Sequence, residues 1–318
     1  MPKVSVIIPN YNHAAYLEKR IATVLAQTFQ DFELILLDDC STDGSAEMVK
    51  QYAGHPKVTA AVVNAKNSGS PFKQWNRGVA LASGRFIWIA ESDDFADERL
   101  LATLVAAIEQ ADGIGIAFCH SWNVDETGKV NGDLHAWYQR IDPQHWQASY
   151  VNKGTEEIGR FLIHKNALLN VSAVLFRKDV FVAAGQAPED MYYCGDWLTW
   201  VRMLLAADVA YVAQPLNYFR NHGATTRNAG SFPRQIARMG EEYRVARFIE
   251  THNPGYPGEV QKRYDQLLKQ WLFWGRFYRY APRHFTAMFR IARQYDEQLA
   301  ARIARYVLGW LGRVIRRR

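Results

Sequence analysis

Three acidic side chains stand within four consecutive residues in Glu91-Ser92-Asp93-Asp94. They directly follow a short apolar run, residues 87–90, whose β-branched and aromatic side chains predict a buried strand. Carboxylates held this close repel each other unless a positive charge lies between them, and a divalent cation with a bound phosphate supplies that charge. One aspartate could instead cap the helix that starts near Asp97, but a cap needs only a single acid. The spacing therefore favours a cation and phosphate site.

Polar clusters also follow two earlier apolar runs. Residues 3–8 end at Pro9-Asn10-Tyr11-Asn12, and residues 32–37 end at Asp38-Asp39. Amphipathic helices are predicted over residues 14–27, up to Tyr52 and over 72–82, with a third strand over 58–63. This alternation predicts right-handed crossovers and an α/β fold with a mostly parallel sheet. The strand ends should converge on one edge, where open α/β sheets bind ligands.

Residues 4–12, 37–44 and 91–94 resemble the motifs of the family 2 inverting nucleotide-sugar glycosyltransferases, which have the GT-A fold. The similarity extends over roughly the first 225 residues, and three ordered motifs are far more specific than one. The resemblance implies that the first strand end, Pro9-Asn10-Tyr11, binds the nucleoside of a nucleoside-diphosphate sugar, with Pro9 and Tyr11 flanking the base. It also implies that Asp39 accepts a hydrogen bond from the base. Asp93 would lie near the ribose, and Asp94 would bind a Mn or Mg ion that bridges the diphosphate.

The segment 67–78 departs from the family pattern. Trp75-Asn76 stands where the family usually has an Arg-Asn pair. Lys73 or Arg77 would supply the missing positive charge, and the sequence does not choose between them. Trp75 is better explained as packing its helix on the sheet. Gly69 either permits close approach of the backbone to the sugar or serves the turn.

A carboxylate at the start of a later helix is the expected catalytic base. The family often has Glu-Asp there, and this chain has Gly195-Asp196. By the resemblance, Asp196 deprotonates the acceptor hydroxyl, and one base is sufficient for an inverting displacement. The alternative is an aspartate in the first turn that only stabilises the helix dipole. A non-catalytic nucleotide-sugar-binding or scaffold protein with the same fold is the alternative function.

Further along, His222 matches a histidine that completes the metal or diphosphate shell in GT-A enzymes. It is therefore the second expected metal ligand, and Arg227 is a candidate phosphate contact. A solvated loop histidine is the competing interpretation. The spacing of the other histidines, His13 among them, predicts no second metal site. Aromatic and histidine residues between 122 and 153 are candidates for the acceptor side or for ordinary packing: Trp122, His135, Trp137, Tyr138, His145 and Trp146.

Composition indicates a cytoplasmic globular enzyme. The 318 residues contain only three cysteines, which argues against a disulfide framework or a zinc finger. The first strand begins at Lys3, so no signal peptide is expected before it. No apolar run approaches the length of a membrane span.

Charge divides the chain near residue 230. Residues 1–230 have 20 Lys and Arg against 25 Asp and Glu, net −5, whereas residues 231–318 have 18 against 7, net +11. The predicted organisation is a catalytic domain over 1–230 and a basic, aromatic-rich helical extension over 231–318. Its helices are expected over 234–251, 258–280 and from Arg283 to the end. The last segment, 301–318, is basic and amphipathic, which favours peripheral contact with an anionic membrane and so with a lipid-linked acceptor. Packing on the catalytic domain is the alternative, and nucleic-acid binding is not expected because no recognition module accompanies the charge.

Overall fold

The computed structural model describes residues 1–223, 231–277 and 282–315. The chain divides into two compact units, Met1–Asn228 and Ala229–Arg318. The assignment of catalysis to the first unit and of membrane contact to the second remains a prediction.

Within the described residues, ten strands of the first unit form one sheet. In chain order they are β1 Val4–Asn10, β2 Phe32–Asp38, β3 Val58–Val63, β4 Phe86–Ile89, β5 Phe95–Ala96, β6 Ile114–Val124, β7 Val130–Asp133, β8 Tyr150–Asn152, β9 Val174–Arg177 and β10 Asp208–Arg220.

The sheet has the order β3-β2-β1-β4-β9-β6-β10-β5, with β7 beside β6 and β8 beside β10. Its first four strands pair in parallel, as the sequence predicts. The rest of the sheet is mixed, because β9 runs antiparallel to both β4 and β6, while β10 is parallel to β6. β1, β2 and β4 are buried throughout, which explains their predominantly apolar sequences.

Eight helices lie in the first unit within the described residues. They are α1 Ala14–Leu25, α2 Ser45–Tyr52, α3 Pro71–Leu81, α4 Leu100–Ile108, α5 His135–Tyr138, α6 Gly154–Glu157, α7 Lys178–Ala183 and α8 Gly195–Leu204. α1 illustrates why they form, since Leu17, Ile21 and Val24 recur at helical spacing and are all buried against the sheet.

The strand ends converge on one edge of the sheet. Asn10 pairs in register with Asp38 at the ends of β1 and β2. The backbone N–H of Asp39 then donates to the carbonyl of Asn10 at 2.9 Å, and the N–H of Ala90, just after β4, donates to Ile7 at 2.8 Å. The polar segments after β1, β2 and β4 therefore leave the sheet side by side.

The second unit is helical over its described residues. It contains α9 Phe232–His252, α10 Pro257–Phe277, α11 Pro282–Tyr295 and α12 Leu299–Ile315. The prediction of a single final helix from Arg283 onward is wrong, because the helix is interrupted between Tyr295 and Leu299, where α11 ends and α12 begins. At the break, the Asp296 carboxylate accepts hydrogen bonds from the Gln298 N–H at 3.0 Å and from Arg302 Nε at 2.9 Å. No described helix is both long and apolar enough to cross a bilayer.

Candidate functional site

Two histidines and one of the three acids meet at the convergent edge of the sheet. Asp93 follows β4, His13 lies between β1 and α1, and His222 follows β10. Nε2 of His222 is 3.0 Å from Oδ2 of Asp93, and the rings of His13 and His222 meet edge to face with centroids 5.4 Å apart. One ligand atom from each of the three residues lies within 4.8 Å of the other two. Two imidazole nitrogens and a carboxylate oxygen are suitable ligands for a divalent transition-metal cation.

Asp94 occupies a different environment from Asp93. It is 2% exposed, with its Oδ1 accepting from the backbone N–H of Arg220 and its Oδ2 accepting from the Asn170 amide, both at 2.9 Å. Burial, and then the neighbouring Asp93, raises the pKa of Asp94. The clustered ligand atoms come from His13, Asp93 and His222, and Asp94 is not among them; the expected pair of Asp94 and His222 stays a prediction. Asp93 is the acid of this turn whose carboxylate contacts a histidine of the cluster.

Glu91, the first acid of the motif, is tied to helix α3. Trp75 Nε1 donates to Glu91 Oε1 at 2.9 Å. Burial, followed by the nearby Asp93, raises the pKa of Glu91 to about 8. Trp75 is itself 3% exposed and packs against Phe72, so it serves both packing and the site. The sequence predicted the packing of Trp75 but not its contact with the acid.

Two buried arginines hold the acidic turn from the side of the core. Arg20 of α1 is fully buried and donates from Nε to the carbonyl of Glu91 at 2.8 Å. Arg220, at the end of β10, donates from Nε to the carbonyl of Asp93 at 2.7 Å and lies over the ring of Tyr16. Neither arginine was a candidate from the sequence, because a basic residue on an amphipathic helix or at a strand end is usually solvated.

Arg20 has an incomplete set of partners. In the part of the chain that is described, its Nη1 and Nη2 have no hydrogen-bond partner. Burial lowers the pKa of Arg20 to about 10, against the opposing effect of the carboxylates of Asp94, Asp93 and Glu91. The guanidinium is therefore a buried positive charge near the acids, and it compensates part of their negative charge.

His13 is the site residue that the sequence analysis missed. Its Nδ1 is 2.8 Å from Ser92 Oγ, within the acidic motif itself. Burial lowers the pKa of His13, although the nearby Asp93 opposes this shift. The neutral ring that results is the form that binds a metal. No local spacing signals this role, because His13 and His222 are brought together only by the fold.

The residues expected at the nucleoside lie at the ends of β1 and β2. Pro9 is buried within β1, and Tyr11 just beyond it has 48% of its surface exposed. Asn10 is 3% exposed and donates to Asp38 at 2.8 Å. Within the described residues the carbonyl oxygen of the Asn10 side chain has no partner. An unpaired buried acceptor beside an exposed aromatic ring suits a ligand with hydrogen-bond donors.

Asp39 holds the loop between β3 and α3. Its carboxylate accepts from the Asn64 amide at 2.6 Å, from the hydroxyl of Ser68 at 2.7 Å and from the Gln74 amide at 2.9 Å. These donors occupy much of its acceptor capacity, so Asp39 fixes the position of Gly69 and its neighbours. Gly69 has φ +75° with open space around the missing side chain.

Lys73 and Arg77, the two candidate positive charges of helix α3, contact the segment between β3 and α3. Lys73 Nζ donates to the carbonyl of Ser68 at 3.2 Å. Arg77 instead reaches the side chain of Asn64. Lys73 thus remains beside Gly69, whereas Arg77 braces the end of β3. Arg227, the remaining candidate for a phosphate contact, lies outside the described residues.

Asp196 stands in the first turn of α8 and is half-buried. Its Oδ1 accepts from the N–H of Trp197 at 2.7 Å, and its Oδ2 accepts from the Asn166 amide at 2.8 Å. The preceding Gly195 is tightly enclosed, because a Cβ there would lie 2.5 Å from Cζ of Phe72. The family's usual acid at this position is therefore excluded by the Phe72 ring, while the second acid of the pair is retained.

The aromatic residues proposed for an acceptor side separate into two groups. Tyr138 and Trp146 are buried and stacked on each other with centroids 4.9 Å apart, and His145 stacks on Phe161. These three are packing residues. Trp137 is half-buried, and its Nε1 donates to the carbonyl of Asn166 at 3.2 Å. Asn166 in turn donates from its side chain to Asp196, so it links Trp137 to the carboxylate.

Comparison with known proteins identifies a matching family, similar sequences and similar folds. The profile described as "Glycosyl transferase family 2" matches residues 5–176. Glycosyltransferase GlyG of Streptococcus pneumoniae is 32% identical over 178 residues, which are 56% of this chain and 58% of GlyG. The chain thus spans less than two thirds of that relative.

Two solved structures share the fold at low sequence identity. TarS 1–349 of S. aureus, in complex with UDP-GlcNAc, has a TM-score of 0.65 at 19% identity and covers 94% of this chain and 83% of its own. A mannosyltransferase from Pyrobaculum calidifontis, in complex with GDP-Man and Mn²⁺, has a TM-score of 0.56 at 14% identity and covers 93% and 86% respectively. The structural similarity confirms the expected GT-A type α/β fold.

Proposed function

Because the chain belongs to glycosyl transferase family 2, we propose that it moves a sugar, with inversion, from a nucleoside-diphosphate sugar to a glycan or lipid-linked glycan. The proposal depends above all on one observation, the meeting of Asp93, His13 and His222 at the edge where β1, β2 and β4 end. That edge also holds Tyr11 and the unpaired acceptor of Asn10. A cation-bound diphosphate and a nucleoside would thus find their partners side by side.

Asp93 and His222 are the residues that would hold a divalent cation, Mn or Mg. When bound, such an ion neutralises the charge that develops on the departing nucleoside diphosphate. Asp93 replaces Asp94 in this role, because the oxygens of Asp94 already accept from Arg220 and Asn170. Asp94 instead fixes the turn that presents Asp93.

On the nucleoside side, Tyr11 offers an exposed ring for the base and Pro9 fixes the backbone that carries it. Asp39 acts on the ligand chiefly through the loop it holds, so Gly69 can approach the sugar and Lys73 the diphosphate. The solved structures of related fold carry UDP-GlcNAc and GDP-Man, which supports a nucleoside-diphosphate sugar as the donor class.

Asp196 is the proposed base. It would take the proton of the acceptor hydroxyl as that oxygen bonds to the anomeric carbon, while the bond from that carbon to the diphosphate oxygen breaks on the opposite face. The Asn166 amide holds one carboxylate oxygen in place. TarS, which shares the fold, is by name a poly(ribitol-phosphate) β-N-acetylglucosaminyltransferase. That name supports a cell-surface polysaccharide as the acceptor class.

The experiment separates binding from transfer. Thermal shift with UDP- and GDP-sugars, with and without Mn²⁺, identifies the donor, since a bound ligand raises the apparent melting temperature. Release of nucleoside diphosphate is then measured for Asp93→Asn, Asp196→Asn and the control Glu98→Gln, an exposed acid. Asp93→Asn should lose the metal-dependent shift, whereas Asp196→Asn should keep donor binding and lose turnover.

Wild-type turnover by both Asp93→Asn and Asp196→Asn would refute the assigned roles. Donor binding by the wild type without release or transfer to any extract-derived acceptor would instead support the alternative, a non-catalytic nucleotide-sugar-binding protein. The Asp196 carboxylate, which the Asn166 amide holds in place, supports the enzyme.

We further propose that α12 binds peripherally to the cytoplasmic face of an anionic membrane. Val307, Leu308 and Trp310 are 46%, 67% and 48% exposed, and Arg305 is exposed beside them. Arg302 does not contribute to that surface, because its side chain is 2% exposed and paired with Asp265 and Asp296.

Liposome pelleting tests the membrane proposal. Leu308→Asp with Trp310→Asp should abolish pelleting with vesicles that contain phosphatidylglycerol, without the loss of fold expected if the whole helix, and Arg302 with it, were deleted. Neutral phosphatidylcholine vesicles are the control. Unchanged pelleting of the double variant would exclude docking through this face.

A further inference from the structure

The three ligand atoms have the spacing of one coordination sphere. Ligands at about 2.1 Å from an octahedral ion lie about 3 Å apart when adjacent and about 4.2 Å apart when opposite. The 3.0 Å between His222 Nε2 and Asp93 Oδ2 matches an adjacent pair. The third atom, from His13, lies within 4.8 Å of both. Small side-chain adjustments therefore suffice to place all three around one ion.

His13 is held in the orientation of a ligand. Metal-binding histidines almost always give their second ring N–H to an acceptor, which fixes the tautomer. In His13 the Nδ1 lies 2.8 Å from Ser92 Oγ, so this contact occupies Nδ1 and leaves Nε2 as the nitrogen for a metal. Ser92 is 1% exposed and adjoins Asp93 in the sequence. The acidic turn thus supplies one ligand and also the residue that orients another.

The composition of this set determines which ions it prefers. Mg²⁺ demands oxygen ligands in near-ideal octahedral geometry and retains its waters, whereas imidazole suits transition metals. Neither of the other two acids of the motif, Glu91 and Asp94, belongs to the cluster of ligand atoms that the described residues form. Nitrogen therefore forms the majority of the protein ligands.

We propose that His13 is a third protein ligand and that the set His13, Asp93 and His222 selects Mn²⁺ and Co²⁺ over Mg²⁺. This inference rests on the proposed function, in which a cation lies at the donor diphosphate. It goes beyond that function by adding a ligand from the β1–α1 loop and by excluding Mg²⁺ as the preferred ion.

The test reads metal binding directly on the full chain. Mn²⁺ is titrated by electron paramagnetic resonance and Co²⁺ by its visible absorption, each with and without UDP. His13→Asn keeps an amide at the position of Nδ1, for Ser92, but removes the second nitrogen. It should weaken Mn²⁺ binding about tenfold or more and change the Co²⁺ bands. His55→Ala, which removes a half-buried imidazole of the same unit, should change neither.

Ser92→Ala supplies a second variant in which all ligands remain. Loss of the orienting partner should weaken binding about tenfold, within the range typical of residues that orient ligands. Mg²⁺ should displace bound Mn²⁺ only in large excess. Unchanged Mn²⁺ affinity and Co²⁺ spectrum in His13→Asn, or displacement by equimolar Mg²⁺, would overturn the inference.

The same titrations distinguish this inference from the proposed function. If Asp93→Asn loses Mn²⁺ while His13→Asn retains it, His13 is not a ligand but the cation site stands. If the wild type binds neither ion, with or without UDP, both the inference and the metal-dependent function are wrong.

Discussion

Gly195→Ala should destabilise the fold although alanine favours helices. Gly195 is the first residue of α8, and a Cβ there would lie 2.5 Å from Cζ and 2.9 Å from Cδ2 of Phe72. The ring cannot move freely, since Phe72 is 4% exposed and packs edge to face on Trp75 at 5.1 Å. The added methyl must displace the Phe72 and Trp75 pair or shift α8.

The expected magnitude follows from two opposing effects. Overpacking a well-filled site costs about 1–3 kcal/mol. Replacing glycine by alanine gains at most about 1 kcal/mol in a helix interior, and less at the first position. The net loss should be about 1–2 kcal/mol, which lowers the melting temperature by about 2–8 °C for a unit of this size.

A double-mutant cycle identifies the cause. Phe72→Leu removes the ring atoms that the new Cβ would meet, so Gly195→Ala should cost about 1 kcal/mol less in that background. Gly258→Ala is the control, because Gly258 also stands in a first helical turn but has open space around it. It should be neutral or slightly stabilising. Melting temperatures and urea unfolding measure each variant, and a Gly195→Ala protein as stable as the wild type would refute the steric argument.

Substitutions at three further positions test the buried charges. Asp94→Asn should lower the free energy of unfolding by about 1–3 kcal/mol, because an amide N–H₂ then faces one of two donors; an unchanged urea midpoint would contradict this. Arg20→Met should lower the free energy of unfolding by about 3 kcal/mol, because it removes the positive charge near the acids, and Arg20→Lys should lower it less. Equal losses in the two variants would show that the packing of Arg20, and not its charge, contributes the stability. Hydrogen bonds from hydroxyl and amide donors outweigh burial and lower the pKa of Glu33. Its contribution is therefore present above the unfolded pKa and is lost as the pH falls through the folded pKa, so Glu33→Gln should flatten the stability profile on the acid side; a parallel profile would refute the shift.

The strands and the edge of the site could be predicted because both depend on local pattern. Predominantly apolar runs predicted β1, β2 and β4, and the helical spacing in α1 predicted the crossover between β1 and β2. Parallel strands joined by such crossovers necessarily end on one edge. The break before α12 escaped prediction, since Asp296 ends α11 through contacts with Arg302 that a continuous amphipathic pattern does not reveal.

The identity of the ligands could not be predicted, because it depends on contacts between distant segments. Asp93 and Asp94 are chemically identical neighbours, and Asp94 is distinguished by its contacts with Asn170 and the N–H of Arg220, which lie far away in the sequence. His13 gains its role from Ser92, 79 residues away in sequence. Local spacing carries none of this information, so the pattern located the site but not its ligands.

The different contacts of the three acids Glu91, Asp93 and Asp94 predict that cation and nucleotide bind cooperatively. Asp94 and Glu91 are compensated from within the protein, so Asp93 is the acid that meets the histidines, and a divalent ion held there would keep about one unit of positive charge. A diphosphate neutralises that remainder, so each ligand should strengthen the other. By linkage the two enhancements must be equal, typically about 5- to 150-fold. Calorimetric titration of Mn²⁺ with and without UDP, and of UDP with and without Mn²⁺, measures both. Affinities that do not depend on the other ligand would mean that the Asp93 site does not face the diphosphate.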